Sequence, residues 1–184
     1  MSVKMTTLKN IMCYIAPKLL QIWYVEPHLY RNLNSKFFFT ERSSTEAIAR
    51  KNWTRQWWKE YSSQFILFSS VAVIAELQQG TSKATKDRIE LLEDLELLAI
   101  TKEIKEIAAI YIDKLVMPND PAGDALHLAI ASFYKVEVLL TWNCRHLANP
   151  NKFTHIRIIN YELGLPTPVL TTPLNYLGGG ESND

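Results

Sequence analysis

Two neighbouring segments constrain this chain more than any others. Asp124-Ala-Leu-His-Leu-Ala-Ile-Ala131 has the spacing of an amphipathic helix with a carboxylate in its first turn. Leu139-Leu-Thr-Trp-Asn-Cys-Arg-His146 follows closely and reads as a buried strand that ends in a polar cluster. A helix and then a strand, each bringing an oxygen donor to one edge of a sheet, is a way to build a site for a hard divalent cation.

The same alternation extends upstream. Ser44-Thr-Glu-Ala opens a helix through Trp53 and Trp57 to about Tyr61, with a capping serine and an early acid. Phe65–Phe68 is a short buried strand, and Ser69–Gly80 a helix with a serine cap and a glycine stop. A third helix is expected from Ser82 to about Leu95, a short strand at Leu97–Ile100 and a fourth helix over Thr101–Leu115. Val136–Thr141 and Ile156–Ile159 read as strands, and Pro166–Pro173 as an extended edge segment leading into a short helix at Leu174. Strands alternating with helices imply a mostly parallel sheet covered on both faces, with ligands at the carboxyl ends of its strands. Residues 1–36 show no clear period, being broken by Pro17, Pro27, Asn32 and Asn34, and the glycine-rich tail 178–184 is expected to be flexible.

Composition narrows the classes. The chain of 184 residues can bury one real core. Its net charge of +1 argues against strong non-specific nucleic-acid binding, so any nucleic acid must meet a local basic patch. The two cysteines, Cys13 and Cys144, lie far apart and suggest neither a zinc site nor a disulfide framework, which makes the cytoplasm the default compartment. No apolar run reaches the roughly 18 residues of a membrane helix. The run Ile11–Ala16 after Lys4 and Lys9 is too short for a signal peptide and is interrupted by Pro17 and Lys18.

Three oxygen-bearing positions stand out. Glu76 sits among Ile74, Ala75 and Leu77, Asp124 opens its helix, and Asn143 follows the strand at 139–141. Each has a plain reading alone: a solvated acid near a helix end, an acid favoured by the helix dipole, a turn residue. On one βαβ framework they form a candidate cation site, because an acid in an apolar segment is costly unless paired or metal-bound. Thr141, at the strand end, is placed to support them by hydrogen-bonding a carboxylate. His127 and His146 invite a metal or general-base reading, against which a structural hydrogen bond is the plainer one, and a packing role is the plain reading for Cys144. Trp53, Trp57 and Trp58 with Arg50, Lys51, Arg55 and Lys59 form an aromatic–basic stretch. Its tryptophans at 53 and 57 are expected to pack inward while the cations face water, with the exposed side open to RNA or a partner.

Ser69–Gly80, Pro121–Ala131 and Leu139–Asn149 resemble the corresponding segments of PIN domains, in particular the VapC-type toxin ribonucleases of toxin–antitoxin pairs. The resemblance spans about Phe37 to Leu177. It implies a three-layer α/β/α sandwich with a central mostly parallel sheet, and Mg²⁺- or Mn²⁺-dependent cleavage of RNA. It implies Glu76 and Asp124 as the second and third acids, with Asn143 at a fourth position that is often Asp. An RNA substrate, a cognate antitoxin and a homodimer are the partners implied, with no membrane association.

The first acid of that pattern is missing. Its place falls in Tyr30–Lys36, where Arg31 stands instead, and a cation repels a divalent metal. One explanation is a shifted reading frame. If Tyr30–Phe37 are taken as encoded by TAT AGA AAC CTC AAT TCC AAG TTT, one choice among the codons these residues allow, reading one base later gives Ile-Glu-Thr-Ser-Ile-Pro-Ser-Phe, the missing motif. Residues before about Phe37 are then out of frame, with Phe37–Phe39 a natural site for a lost or gained base. The alternatives are an N-terminus that never held the motif, a catalytically inactive PIN-like module that still binds RNA or antitoxin, and a decayed gene product. The chain as written is expected to be weakly active or inactive.

Overall fold

All four residues of Val138-Leu-Leu-Thr141 are buried, so this strand has no face for water and must lie inside a covered sheet. The structure is a computed structural model that describes residues 9–14, 21–22, 44–78 and 95–177. Its elements in chain order are β1 (Lys9–Tyr14), β2 (Gln21–Ile22), α1 (Thr45–Tyr61), β3 (Phe65–Ser70), α2 (Val71–Gln78), β4 (Leu97–Leu98), α3 (Lys102–Asp113), α4 (Asp124–Phe133), β5 (Val138–Thr141), α5 (Pro150–Glu162), β6 (Val169–Thr171) and α6 (Leu174–Leu177). The protein is a mixed α/β chain whose strands run in the order β4-β3-β1-β5-β6. Every pairing along that path is parallel, while β2 adds to β1 antiparallel.

The order sets where a ligand would lie. From β1 the chain moves outward through β3 and β4, then crosses back to β5 and β6 on the other side. Such a reversal opens a crevice at the carboxyl ends of the strands that flank it. Tyr14 pairs with Thr141, so β1 and β5 end at the same level.

Local chemistry fixes the elements. Ser44 caps α1, its Oγ accepting from the Ala47 N–H at 3.3 Å, and Thr101 caps α3, accepting from the Ile104 N–H at 3.4 Å. Helices α3, α4 and α5 end in one motif. Leu115, Lys135 and Gly164 adopt positive φ. The N–H groups of Val116, Val136 and Leu165 reach back to the carbonyls of Tyr111, Ala131 and Asn160 at 2.8 to 2.9 Å. Because the Val136 N–H closes α4, β5 starts at Val138 rather than at 136. The core gathers Trp57, Leu67, Leu77, Ile104, Tyr111, Leu128 and Ile130.

Four sequence expectations are corrected. Ser69 and Ser70 extend β3 and do not cap a helix, because they stand in register with Leu97 and Leu98 of β4; α2 starts at Val71. Ile156–Ile159 is helical. Asn149 caps α5 and Pro150 opens it, and the buried positions Ile156, Ile159 and Asn160 recur at three and four. Within the N-terminal segment, Lys9–Tyr14 is the central strand of the sheet, built on the short apolar run Ile11–Tyr14. Cys144 is exposed and does not pack. The helix expected over Ser82–Leu95 (Leu95 apart), the Gly80 stop of the helix expected over Ser69–Gly80, Tyr30–Lys36 with Arg31, and the tail 178–184 lie outside the described residues.

Candidate functional site

Thr141 closes β5 and is fully buried. Its Oγ1 accepts from the Asn143 backbone N–H at 3.0 Å, so its contact is with the turn and not with a carboxylate. That turn is tight: the Cys144 N–H reaches the Trp142 carbonyl at 2.9 Å, and the Ala148 N–H reaches the Asn143 carbonyl at 2.9 Å. Asn143 then uses both ends of its side chain. Its Oδ1 accepts from the His146 N–H at 3.1 Å, and its Nδ2 donates to Asp124 Oδ1 at 2.7 Å. Reversing the amide would set oxygen against carboxylate and N–H against N–H, so the two partners together assign its orientation.

Asp124 is the first residue of α4, where the helix dipole favours negative charge. Its carboxyl is nevertheless raised above the ordinary aspartate value. Burial is the main cause and the nearby Glu76 charge adds to it; His127, His146 and the Asn143 bond pull the other way. One turn along α4, fully buried His127 donates from Nε2 to Glu76 Oε1 at 3.0 Å. The Glu76 carboxylate is half-buried and reaches in from α2. Burial lowers the pKa of His146, and Lys152 and Arg145 lower it further against the pull of Asp124, so its ring is neutral near pH 7. His146 Nδ1 is buried and has no hydrogen-bond partner among the described residues.

The fold therefore brings Glu76, Asp124 and Asn143 to the carboxyl edge of the sheet. Glu76 arrives from the β3 side and the other two from the β5 side. Among the described residues no group of three or more His, Cys, Asp or Glu side chains is arranged to hold a metal ion. Two carboxylates lie near enough there for the Glu76 charge to act on Asp124, and the first-acid position, Tyr30–Lys36, lies outside the described residues.

Trp142 is what the sequence reading missed. It is buried between Thr141 and Asn143, and α1 holds it on three sides. Its Nε1 donates to Thr54 Oγ1 at 2.9 Å, and Trp53 stacks on it at 5.9 Å between ring centres. The Arg50 guanidinium lies 5.5 Å over its ring and donates to its carbonyl at 3.4 Å. Thr54 in turn donates to the Arg50 carbonyl at 2.7 Å, and Glu46 pairs with Arg50. The four-residue step from Arg50 to Thr54 was the one signal for this clamp. The expected inward packing holds for Trp57, while Trp53 is half-buried against Trp142; Trp58, for which no such packing was expected, is buried as well.

Two hard-oxygen carboxylates, one of them raised mainly by burial, suit Mg²⁺ or Mn²⁺ in donor type. They are also held by partners already, Glu76 by His127 and Asp124 by Asn143. Comparison with protein-family models, with curated proteins and with solved structures finds no match for this chain.

Proposed function

We propose that this chain carries the centre of a PIN-like, VapC-type metal-dependent endoribonuclease, impaired by the lack of a first acidic ligand. The observation that carries the reading is that Asp124 bonds Asn143 and lies within reach of the Glu76 charge, with Glu76 held by His127 one turn along α4. A three-layer α/β/α sandwich is the architecture this reading assigns, and an antitoxin peptide and a second copy of the chain are the partners it carries.

Glu76 and Asp124 are the residues that would hold Mg²⁺ or Mn²⁺. When bound, such an ion supplies an activated water and neutralises charge on a phosphodiester. The chain's own groups prepare the site. Asn143 fixes one oxygen of Asp124, Thr141 fixes the Asn143 backbone, and His127 orients Glu76. Burial of Asp124 and its like charge with Glu76 store an electrostatic demand for a cation.

A second reading, an inactive module that binds RNA or antitoxin, is favoured by one observation. Both carboxylates are engaged by neighbours, and two acids, not three, converge among the described residues. Mn²⁺ titration by calorimetry and a cleavage assay on single-stranded RNA separate the two. The nuclease reading expects Mn²⁺ binding and slow, Mn²⁺-dependent cleavage, both lost in Asp124→Asn. RNA binding without Mn²⁺ binding or cleavage supports the inactive module, and robust cleavage by the unaltered chain would overturn the impairment.

A further inference from the structure

The peptide group that joins Trp142 to Asn143 is held at both ends. Its N–H, that of Asn143, donates to Thr141 Oγ1 at 3.0 Å. Its carbonyl, that of Trp142, accepts from the Cys144 N–H at 2.9 Å and from Arg50 Nη1 at 3.4 Å. Thr141 and Cys144 belong to the turn itself and move with it. Arg50 stands 92 positions earlier, on α1, and ties the turn to a separate element. Its guanidinium is positioned in its own right. Glu46, one turn back along α1, pairs with Nη2, and the flat cation lies 5.5 Å over the Trp142 ring. A bond of 3.4 Å is long for N–H to oxygen, and an ion pair with an exposed glutamate contributes little alone. The hold comes from their combination, since one planar group meets both the carbonyl and the ring of the same residue. That takes the fork and the flat face of arginine, which an ammonium lacks.

We propose that Arg50 is a positioning residue of the candidate site: by fixing the Trp142–Asn143 peptide it aims the Asn143 amide at Asp124. The proposal deepens the nuclease reading and rests on it only for the cation. The Asn143 side chain leaves the backbone next to that peptide, so a turn of the peptide plane swings the amide. The amide has little room to swing. It meets Asp124 Oδ1 at 2.7 Å with one end and the His146 N–H at 3.1 Å with the other, and hydrogen bonds weaken steeply as they bend. Arg50 does not reach the acid by its own charge. The charges that act on the Asp124 carboxyl are those of His127, His146 and Glu76. Its influence therefore passes through the turn: Arg50 to the Trp142 carbonyl, that peptide to Asn143, and Asn143 to Asp124.

The test reads the Asn143 side-chain NH₂ resonance in a proton–nitrogen correlation spectrum, in EDTA so that no metal takes part. The signal is assigned by its absence from Asn143→Asp, and Asp124→Ala gives its position with the bond to the acid gone. Arg50→Met, which keeps an apolar stem, should move the signal toward that position. Arg50→Lys, which keeps the charge and a donor, should restore it in part. Lys59→Gln removes a positive charge from an exposed position of the same helix and should leave the signal in place. Circular dichroism melts confirm that the variants fold, and if Arg50→Met does not, a displaced signal in Arg50→Lys carries the test. The second readout is calorimetric titration with Mn²⁺, where Arg50→Met should weaken binding about 10-fold, the scale for a group that supports a metal ligand without touching the ion. The proposal is overturned if the Arg50 variants leave the Asn143 signal where it is, if Lys59→Gln moves it as far, or if Arg50→Met binds Mn²⁺ as tightly as the unaltered chain. An unaltered chain that binds no Mn²⁺ counts against the nuclease reading alone, and the Asn143 signal still decides the role of Arg50.

Discussion

Asn143 faces Asp124 with its amide N–H₂, 2.7 Å from the carboxylate, while its carbonyl oxygen serves the His146 backbone. In this arrangement Asn143 neutralises none of the site's negative charge but holds it in place. Its role is therefore to orient the acid, with its own oxygen turned toward the His146 turn.

Asn143→Asp replaces that donor with a second carboxylate against a half-buried acid. Without metal the variant should be less stable by about 2 kcal/mol, the scale of a lost hydrogen bond to a charged group. Mn²⁺ should recover the loss, so thermal melts with Mn²⁺ and with EDTA should differ more for the variant than for the unaltered chain. Equal Mn²⁺ shifts for both would show that no cation enters between these groups.

The pH dependence has a definite sign. Burial raises the Asp124 carboxyl above its ordinary value, with the Glu76 charge adding to it. The native state then holds a proton that the unfolded chain has already lost, in the window between the ordinary aspartate value and the raised one. Stability owed to this residue is greatest below that window and declines as pH rises through it. Asp124→Asn stays neutral throughout. In EDTA, the Tm of the unaltered chain minus that of the variant should fall from acidic to neutral pH. A difference that rises over this range contradicts the assignment.

The Trp142 clamp predicts coupled losses. Thr54→Val leaves the buried indole N–H without its acceptor and should cost about 1–3 kcal/mol. Trp142→Phe removes the same bond from the other side. Chemical denaturation of both single variants and the double should give losses well short of additive. Additive losses would mean that the indole and the hydroxyl do not act as a pair.

Leu115 ends α3 at φ 57° with its side chain 81 % exposed. A non-glycine residue in the left-handed region costs roughly 1–2 kcal/mol, and glycine's extra freedom in the unfolded chain offsets part of any gain. Leu115→Gly should raise stability by about 0.5–1 kcal/mol, read as an increased Tm.

The reading-frame idea is tested on the gene itself. If Tyr30–Phe37 are specified by codons that give Ile-Glu-Thr-Ser one base later, the frame-restored chain should bind Mn²⁺ more tightly than the chain as written. Codons incompatible with that motif end the idea.

Much of the fold was legible from residue 44 onward, where capping residues and apolar periods agree: Ser44, Thr101 and Asp124 each mark a helix start as read. Ile156–Ile159 misled because four apolar-rich residues fit strand and helix equally, and only the cap at Asn149 and Pro150 separates them. The N-terminal strand was missed because Lys9–Tyr14 shows neither alternation nor turn signals; its place comes from pairing on both sides with β3 and β5. At the site, the neighbourhood of Glu76, Asp124 and Asn143 was legible from topology. The direction of the Asn143 amide was not, since it depends on which atoms of the His146 turn and Asp124 meet it. Trp142 was passed over because its grip comes from a helix some ninety residues earlier in the sequence.

The placement of β1 between β3 and β5 has a further consequence. Adjacent strands lie about 4.8 Å apart whatever their side chains, so one interposed strand holds the arms bearing Glu76 and Asn143 at a span of roughly two such steps. That aperture belongs to the peptide ladder and is indifferent to the letters that fill it. A different peptide lodged in the same slot would alter what lines the opening and leave its width untouched.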